Sequence, residues 1–165
     1  MTNKAETEKY IACSKLLDEG KYVEAVKLAE SLSNAPFRAA IFIDGGFALE
    51  DSSRVRKGTK IFENMLQADE AASKFSKCSI LYNAANGYSS LYTLKRRKGK
   101  EVIPPNDSDL RRAKSLYGQA IENLGGLDPS FASQVWINYG NCLSQFGRFI
   151  DAIKCYVHNP EQDGQ

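Results

Sequence analysis

Apolar residues along this chain recur at helical intervals, and short polar breaks carrying glycine, proline or aspartate divide them. The clearest stretch is VWINYGNCLSQFGRFIDAIKCY, residues 135–156. Trp136, Tyr139, Gly140 and Leu143 follow the i, i+3, i+4, i+7 spacing that lines one face of a helix. Phe149, Ala152, Ile153 and Tyr156 repeat it after Gly147. Gly147 ends the first helix because glycine enters the left-handed cap without a steric penalty. Gly140 and Ala152 are small residues on apolar faces. The pattern therefore predicts two antiparallel helices in close approach, with Trp136, Phe149 and Tyr156 filling space around the contact. Upstream, Asp128-Pro129-Ser130 reads as a stop-and-start signal between helices.

The same residue classes return along the chain. Residues 10–32 predict a first hairpin, with Cys13 small, Leu16 apolar, Gly20 at the turn, Tyr22 large and Ala25 small. A step of 33 residues leads to Gly46, Leu49, Ser53, Val55 and Gly58. This places a second hairpin with its turn at Ser53. Glycine inside a helix is about 1 kcal/mol worse than alanine, so Gly45, Gly46 and Gly58 imply backbones that pack closely. A third hairpin is split. Its first helix covers residues 80–92, with Leu81, Ala84, Ala85 and Tyr88 in the pattern. Its second covers 109–124, with Leu110, Ala113, Tyr117 and Ala120 on one face and Asn106 as the expected N-cap. Residues 93–107, TLKRRKGKEVIPPND, form an insertion between them. The hairpins thus fall at about 4–33, 36–66, 71–124 and 130–157, in a single helical-repeat domain of residues 1–165.

The order Trp136, Tyr139-Gly140, Leu143, Gly147, Phe149, Ala152, Tyr156 resembles the tetratricopeptide repeat (TPR), with Tyr139 where that family usually has leucine. The resemblance implies an all-α fold, a right-handed superhelical stack of about four TPR-like helix hairpins. No hairpin of this kind buries its apolar face alone, so the units must stack. It also implies a function. In this family the first helix of each hairpin lines a concave groove. Counted from the tryptophan position, the groove side carries Tyr82, Asn83, Asn86 and Ser89 in the third hairpin and Ile137, Asn138, Asn141 and Gln145 in the fourth. Asn86 and Asn138 match the places where peptide-binding members carry two asparagines. Tyr82 stands at a lysine position of the clamp that grips a C-terminal carboxylate, so that clamp is incomplete here. The expectation is a scaffold or adaptor that binds a protein or peptide, with Asn83, Asn86, Asn138 and Asn141 as polar contacts and Tyr82 as an apolar anchor. Asparagine amides both donate and accept hydrogen bonds; a merely solvated helix surface is the plainer alternative. Lys9 occupies a large apolar position, which implies an exposed first helix. The pattern stops at Tyr156 without a polar capping element, so the last hairpin is expected to be covered by further chain, a partner or self-association.

Composition narrows the classes. The chain has 165 residues, 42% hydrophobic and 25% charged, with a formal net charge of +2, and no global field demands nucleic acid or membrane. The N-terminus lacks the apolar core of a signal peptide, and no apolar run approaches a membrane span. A cytoplasmic protein is expected. The four cysteines form no C-x-x-C pair and His158 is the one histidine; cysteines in helical stretches read as small buried hydrophobes. The chain shows no phosphate loop, H-E-x-x-H or serine elbow. Neither catalysis nor a cofactor or metal is expected. Asp44, Glu50 and Asp51 give the second groove region an acidic cluster.

Lys95, Arg96, Arg97, Lys98 and Lys100 concentrate positive charge in the insertion. They are candidate anion or nucleic-acid contacts, sequence-blind and salt-sensitive, or a solvated loop. Together, YNAANGYSSLY, the basic linker, LRRAKSLYGQAIE and the final hairpin are similar to the helical-repeat arm of bacterial HEPN-domain proteins. That likeness implies an alternative function, the docking or sensing arm of an RNA-associated or phage-defence system, with the basic loop contacting nucleic acid.

Overall fold

A computed structural model describes residues 4–68, 73–99 and 103–158. Among them the chain forms eight α-helices and no strand: α1 (Lys4–Asp18), α2 (Tyr22–Ala29), α3 (Ala35–Ala48), α4 (Ser52–Gln67), α5 (Lys74–Arg97), α6 (Ser108–Glu122), α7 (Pro129–Gln145) and α8 (Phe149–Val157). No helix among the described residues is long and apolar enough to cross a membrane.

Local chemistry sets the helix ends. Asn34, Asp51, Ser73, Asp107 and Asp128 each accept a hydrogen bond from the backbone N–H three residues on, at 2.9–3.0 Å, which satisfies one of the orphan donors of a helix start. Asp128 does so ahead of Pro129, where the stop-and-start signal falls. The expected cap at Asn106 is not used. Pro104–Asn106 close a 3-10 turn that carries the chain one residue further, and Asp107 caps α6.

Three hairpins share one turn. Lys21, Asp51 and Arg148 donate their N–H to the carbonyls of Leu16, Gly46 and Leu143 at 2.8, 2.8 and 3.0 Å. The residue before each lies in the left-handed region, with φ of 73° at Gly20, 55° at Glu50 and 73° at Gly147. The second turn therefore centres on Glu50, and Ser53 lies inside α4. The constant step of 33 residues placed it three residues late, because the helix start follows the cap at Asp51. A side chain in the left-handed region is strained. Glu50→Gly is expected to stabilise the fold by about 0.5–1 kcal/mol; a lower urea midpoint for the variant would refute that strain.

The insertion is shorter than its polarity implied. α5 has 24 residues, against 14 in α3 and 17 in α7, and it continues through Arg97 before Gly99 turns at φ 69°. Apolar spacing explains the overshoot. Leu91 and Leu94 are buried against Val55, with Phe47 and Tyr88 alongside, so the extra turns cover the end of the α3–α4 hairpin.

Consecutive helices pack as antiparallel pairs, and α1, α3, α5 and α7 touch in succession. Among the described residues, no extended contact joins the first hairpin to the last. Apolar burial is accordingly serial. One cluster holds Cys13, Ala25, Val26 and Phe42; the main one runs from Ile43 and Phe62 through Leu81, Leu110 and Tyr117 to Val135; another joins Leu143, Ala152 and Cys155. All four cysteines are buried and form no disulfide with one another, and burial pushes the Cys142 thiol up to about 12.

Close approach occurs where the glycines and alanines require it. A Cβ on Gly46 would lie 3.0 Å from the Val55 nitrogen, and one on Gly58 would lie 2.6 Å from the Ala39 carbonyl oxygen. In the last hairpin the Tyr156 ring occupies the space a side chain at Gly140 would need. Phe149 does not fill that contact: it is 66% exposed and joins Ile150, Ile153 and Val157 on an open face of α8. Lys9 is exposed on α1.

Candidate functional site

Helices α3, α5 and α7, with one residue of α6, line a hollow of about 440 Å³. Asp44 and Phe47 come from α3; Tyr82, Asn83, Asn86, Ser89, Ser90 and Thr93 from α5; Tyr117 from α6; Asn138, Asn141 and Gln145 from α7. Helical spacing puts the α5 set on one stripe. The groove residues expected from the repeat pattern thus converge, apart from Ile137, which is exposed outside the hollow. Thr93 falls outside the helix expected to end at residue 92; Ser90 falls inside it, but the groove positions counted from the tryptophan site do not include it. The stripe Asn83, Asn86, Ser90, Thr93 carried the signal.

A hydrogen-bond network orients the amides. Asn86 Oδ1 accepts from the Tyr117 hydroxyl at 2.6 Å and from Asn138 Nδ2 at 3.1 Å. Asn138 Nδ2 also donates to the Tyr82 hydroxyl at 2.8 Å. Asn83 Nδ2 donates back to the Ser79 carbonyl at 2.8 Å, and Asn141 Oδ1 accepts from the Tyr156 hydroxyl at 2.8 Å. With those atoms engaged, the amide groups left over are Asn86 Nδ2 and Asn141 Nδ2 as donors, and Asn83 Oδ1 and Asn138 Oδ1 as acceptors. Tyr82 is not a projecting anchor. Its ring packs edge-on against Phe131 at 5.6 Å and near Tyr117 at 6.3 Å, which makes it part of the wall. Burial raises the Tyr82 and Tyr117 hydroxyl pKa values, so both stay protonated donors.

Among the described residues, Asp44 is the only charged one lining the hollow. Solvent reaches it, yet the concave walls displace water from much of its surroundings and push its carboxyl up to about 6. The rest of the expected acidic cluster is spent locally. Asp51 caps α4, held below the usual carboxylate range chiefly by the Arg54 N–H, and Glu50 lies 3.6 Å from the Arg97 guanidinium.

The basic run is dispersed. Lys95 turns inward, its Nζ 2.8 Å from Asp107 and 2.7 Å from Asp109, whose side chains are 7% and 9% exposed. Burial opposes the Lys95 charge, but its bonds to the two carboxylates outweigh that and raise its pKa. Burial likewise pushes Asp107 up, while Lys95 and the Leu110 N–H hold it net below 3.8. Arg97 lies over the Phe47 ring at 4.7 Å beside Glu50, and Arg96 sits 6.0 Å from the Tyr92 ring. Lys98 is exposed at the end of α5; Lys100 lies outside the described residues. The expectation of one contiguous anion patch on an insertion loop is corrected: Lys95 to Arg97 belong to a helix, whose period sends them in different directions.

No known family's sequence profile matches the chain, and neither a curated protein nor a solved structure matches it.

Proposed function

We propose that this chain is a TPR-like adaptor, a right-handed superhelical stack of helix hairpins that binds an extended peptide segment of a protein partner in the hollow between α3, α5 and α7. It acts by binding rather than catalysis. One observation carries the reading: the leftover amide groups on α5 and α7 offer two donors and two acceptors from a prearranged network. An extended backbone presents carbonyls and N–H groups in alternation, and amides already held in place bind it with little loss of side-chain freedom. The succession of contacts along α1, α3, α5 and α7 supports the stacked architecture. The docking arm of a HEPN-type system draws less support, since Lys95 is engaged inside the fold.

The test uses a peptide selected from a displayed random library on the full chain. Asn86→Ala with Asn138→Ala is expected to weaken its binding by roughly tenfold or more, as loss of two hydrogen bonds implies. Because Asn86 and Asn138 also satisfy Tyr117 and Tyr82, the exposed Asn141→Ala serves as a second variant with little effect on folding. Wild-type affinity in all of these variants, measured by fluorescence anisotropy, would reject the groove.

A further inference from the structure

Among the described residues the groove lining holds a single charge, the Asp44 carboxylate. No described lysine or arginine lines this hollow, where Asp44 stands among amides, hydroxyls and two aromatic classes. The cations are elsewhere. Three other hollows carry Arg38, Lys57 and Lys60, Arg56 with Lys60, and Lys77 with Arg112. A concave wall bearing one sign of charge focuses its field and favours a counter-charged occupant. Asp44 has no ion-pair partner among the described residues, unlike Asp51, Asp107, Asp109 and Glu63. Phe47, one helical turn on, lines the same hollow, but its ring already carries the Arg97 guanidinium. A carboxylate without an ion-pair partner, set among neutral amides and hydroxyls, matches the head of a long cationic side chain, which it binds by a charge-assisted hydrogen bond.

We infer that the groove's occupant is a basic peptide segment, with a lysine or arginine placed at Asp44 and its backbone on the asparagine amides. This rests on the groove reading above and gives it a partner chemistry. A peptide anchored by its C-terminal carboxylate is the wrong sign for this hollow.

The experiment pans a displayed random twelve-residue library on the full chain and on Asp44→Asn, an isosteric change checked for unchanged helicity by circular dichroism. The wild type is expected to enrich lysine or arginine at one position. Asp44→Asn is expected to lose that enrichment while still capturing peptides. For a synthesised wild-type binder, Asp44→Asn should weaken affinity about tenfold, replacing the peptide's basic residue with norleucine should do the same, and the two changes together should do no more than either alone. Peptides enriched without a basic residue, or basic peptides that bind Asp44→Asn with wild-type affinity, overturn this inference. If those same peptides lose affinity in the asparagine variants, the groove reading stands without it. Peptides indifferent to every groove variant, or no enrichment at all, overturn both.

Discussion

Lys95→Met is expected to destabilise the fold by about 2 kcal/mol at pH 7, read from the urea midpoint. Lys95 bridges Asp107 and Asp109 at 2.8 and 2.7 Å. Removing the cation leaves two carboxylates, 7% and 9% exposed, with only the exposed Arg56, 3.8 Å from Asp109, as counter-charge. Breaking a buried pair in this way costs about 3–5 kcal/mol. The figure is reduced here because Lys95 itself is 28% exposed and solvent screens part of the interaction. The pH dependence follows from the two shifts. Asp107 is held below its ordinary 3.8, so its contribution is complete above that value and is lost as pH falls through the lower folded value. Lys95 is raised above 10.5, so its contribution is complete below that value and is lost as pH rises beyond the folded one. The gap between wild type and variant should therefore be full from about pH 4 to about pH 10 and narrow below pH 4. Adding Asp109→Asn should recover part of the loss, since a neutral amide removes the repulsion. Unchanged stability in Lys95→Met, with weakened and salt-dependent RNA binding, would restore this residue to a phosphate-contacting surface.

The second large effect is a pair of identical substitutions with opposite signs. Gly58→Ala is expected to destabilise by about 1–3 kcal/mol. Its Cβ would stand 2.6 Å from the Ala39 carbonyl oxygen, 3.0 Å from Ile43 Cγ1 and 3.2 Å from Phe42 Cβ. Two of those neighbours are buried side chains and one is backbone, so α3 must shift away from α4. Overpacking of this kind costs about 1–3 kcal/mol or more, which exceeds the intrinsic preference of about 1 kcal/mol for alanine in a helix. A Cβ on Gly118, inside α6, would have nothing within 4 Å. Gly118→Ala should therefore stabilise by about 1 kcal/mol. A Gly58→Ala protein as stable as wild type in urea would mean that the two helices do not approach as closely as the fold requires.

Much of this fold was readable along the chain because each hairpin is built from neighbours in sequence. Gly20 and Gly147 announced their turns, Asp128 its cap, and Gly46 and Gly58 the contact of α3 with α4. The second turn was misplaced because Glu50 takes a conformation usually left to glycine, stabilised by hydrogen bonds that residue type does not signal. The end of α5 was misplaced because a basic run looks like a solvated loop. Leu91 and Leu94 hold it helical through Val55 and Phe47, partners more than thirty residues upstream. The groove stripe was readable as positions, but Tyr82's role was not: Phe131, about fifty residues downstream, turns its ring into the wall.

Sequence alone settled which segments are helices, where most of them begin, and which faces are apolar, because those properties depend on residues three or four apart. Tertiary structure alone decided which of the polar residues still have bonds to give. Asn86 Oδ1 and Asn138 Nδ2 are spent on each other and on two tyrosines, which leaves the other half of each amide open; Lys95 is spent on two aspartates, while Asp44 lies in a hollow that no cation lines among the described residues. Hydrogen bonds and ion pairs are short-ranged and directional, so their partners are assigned only when distant helices meet.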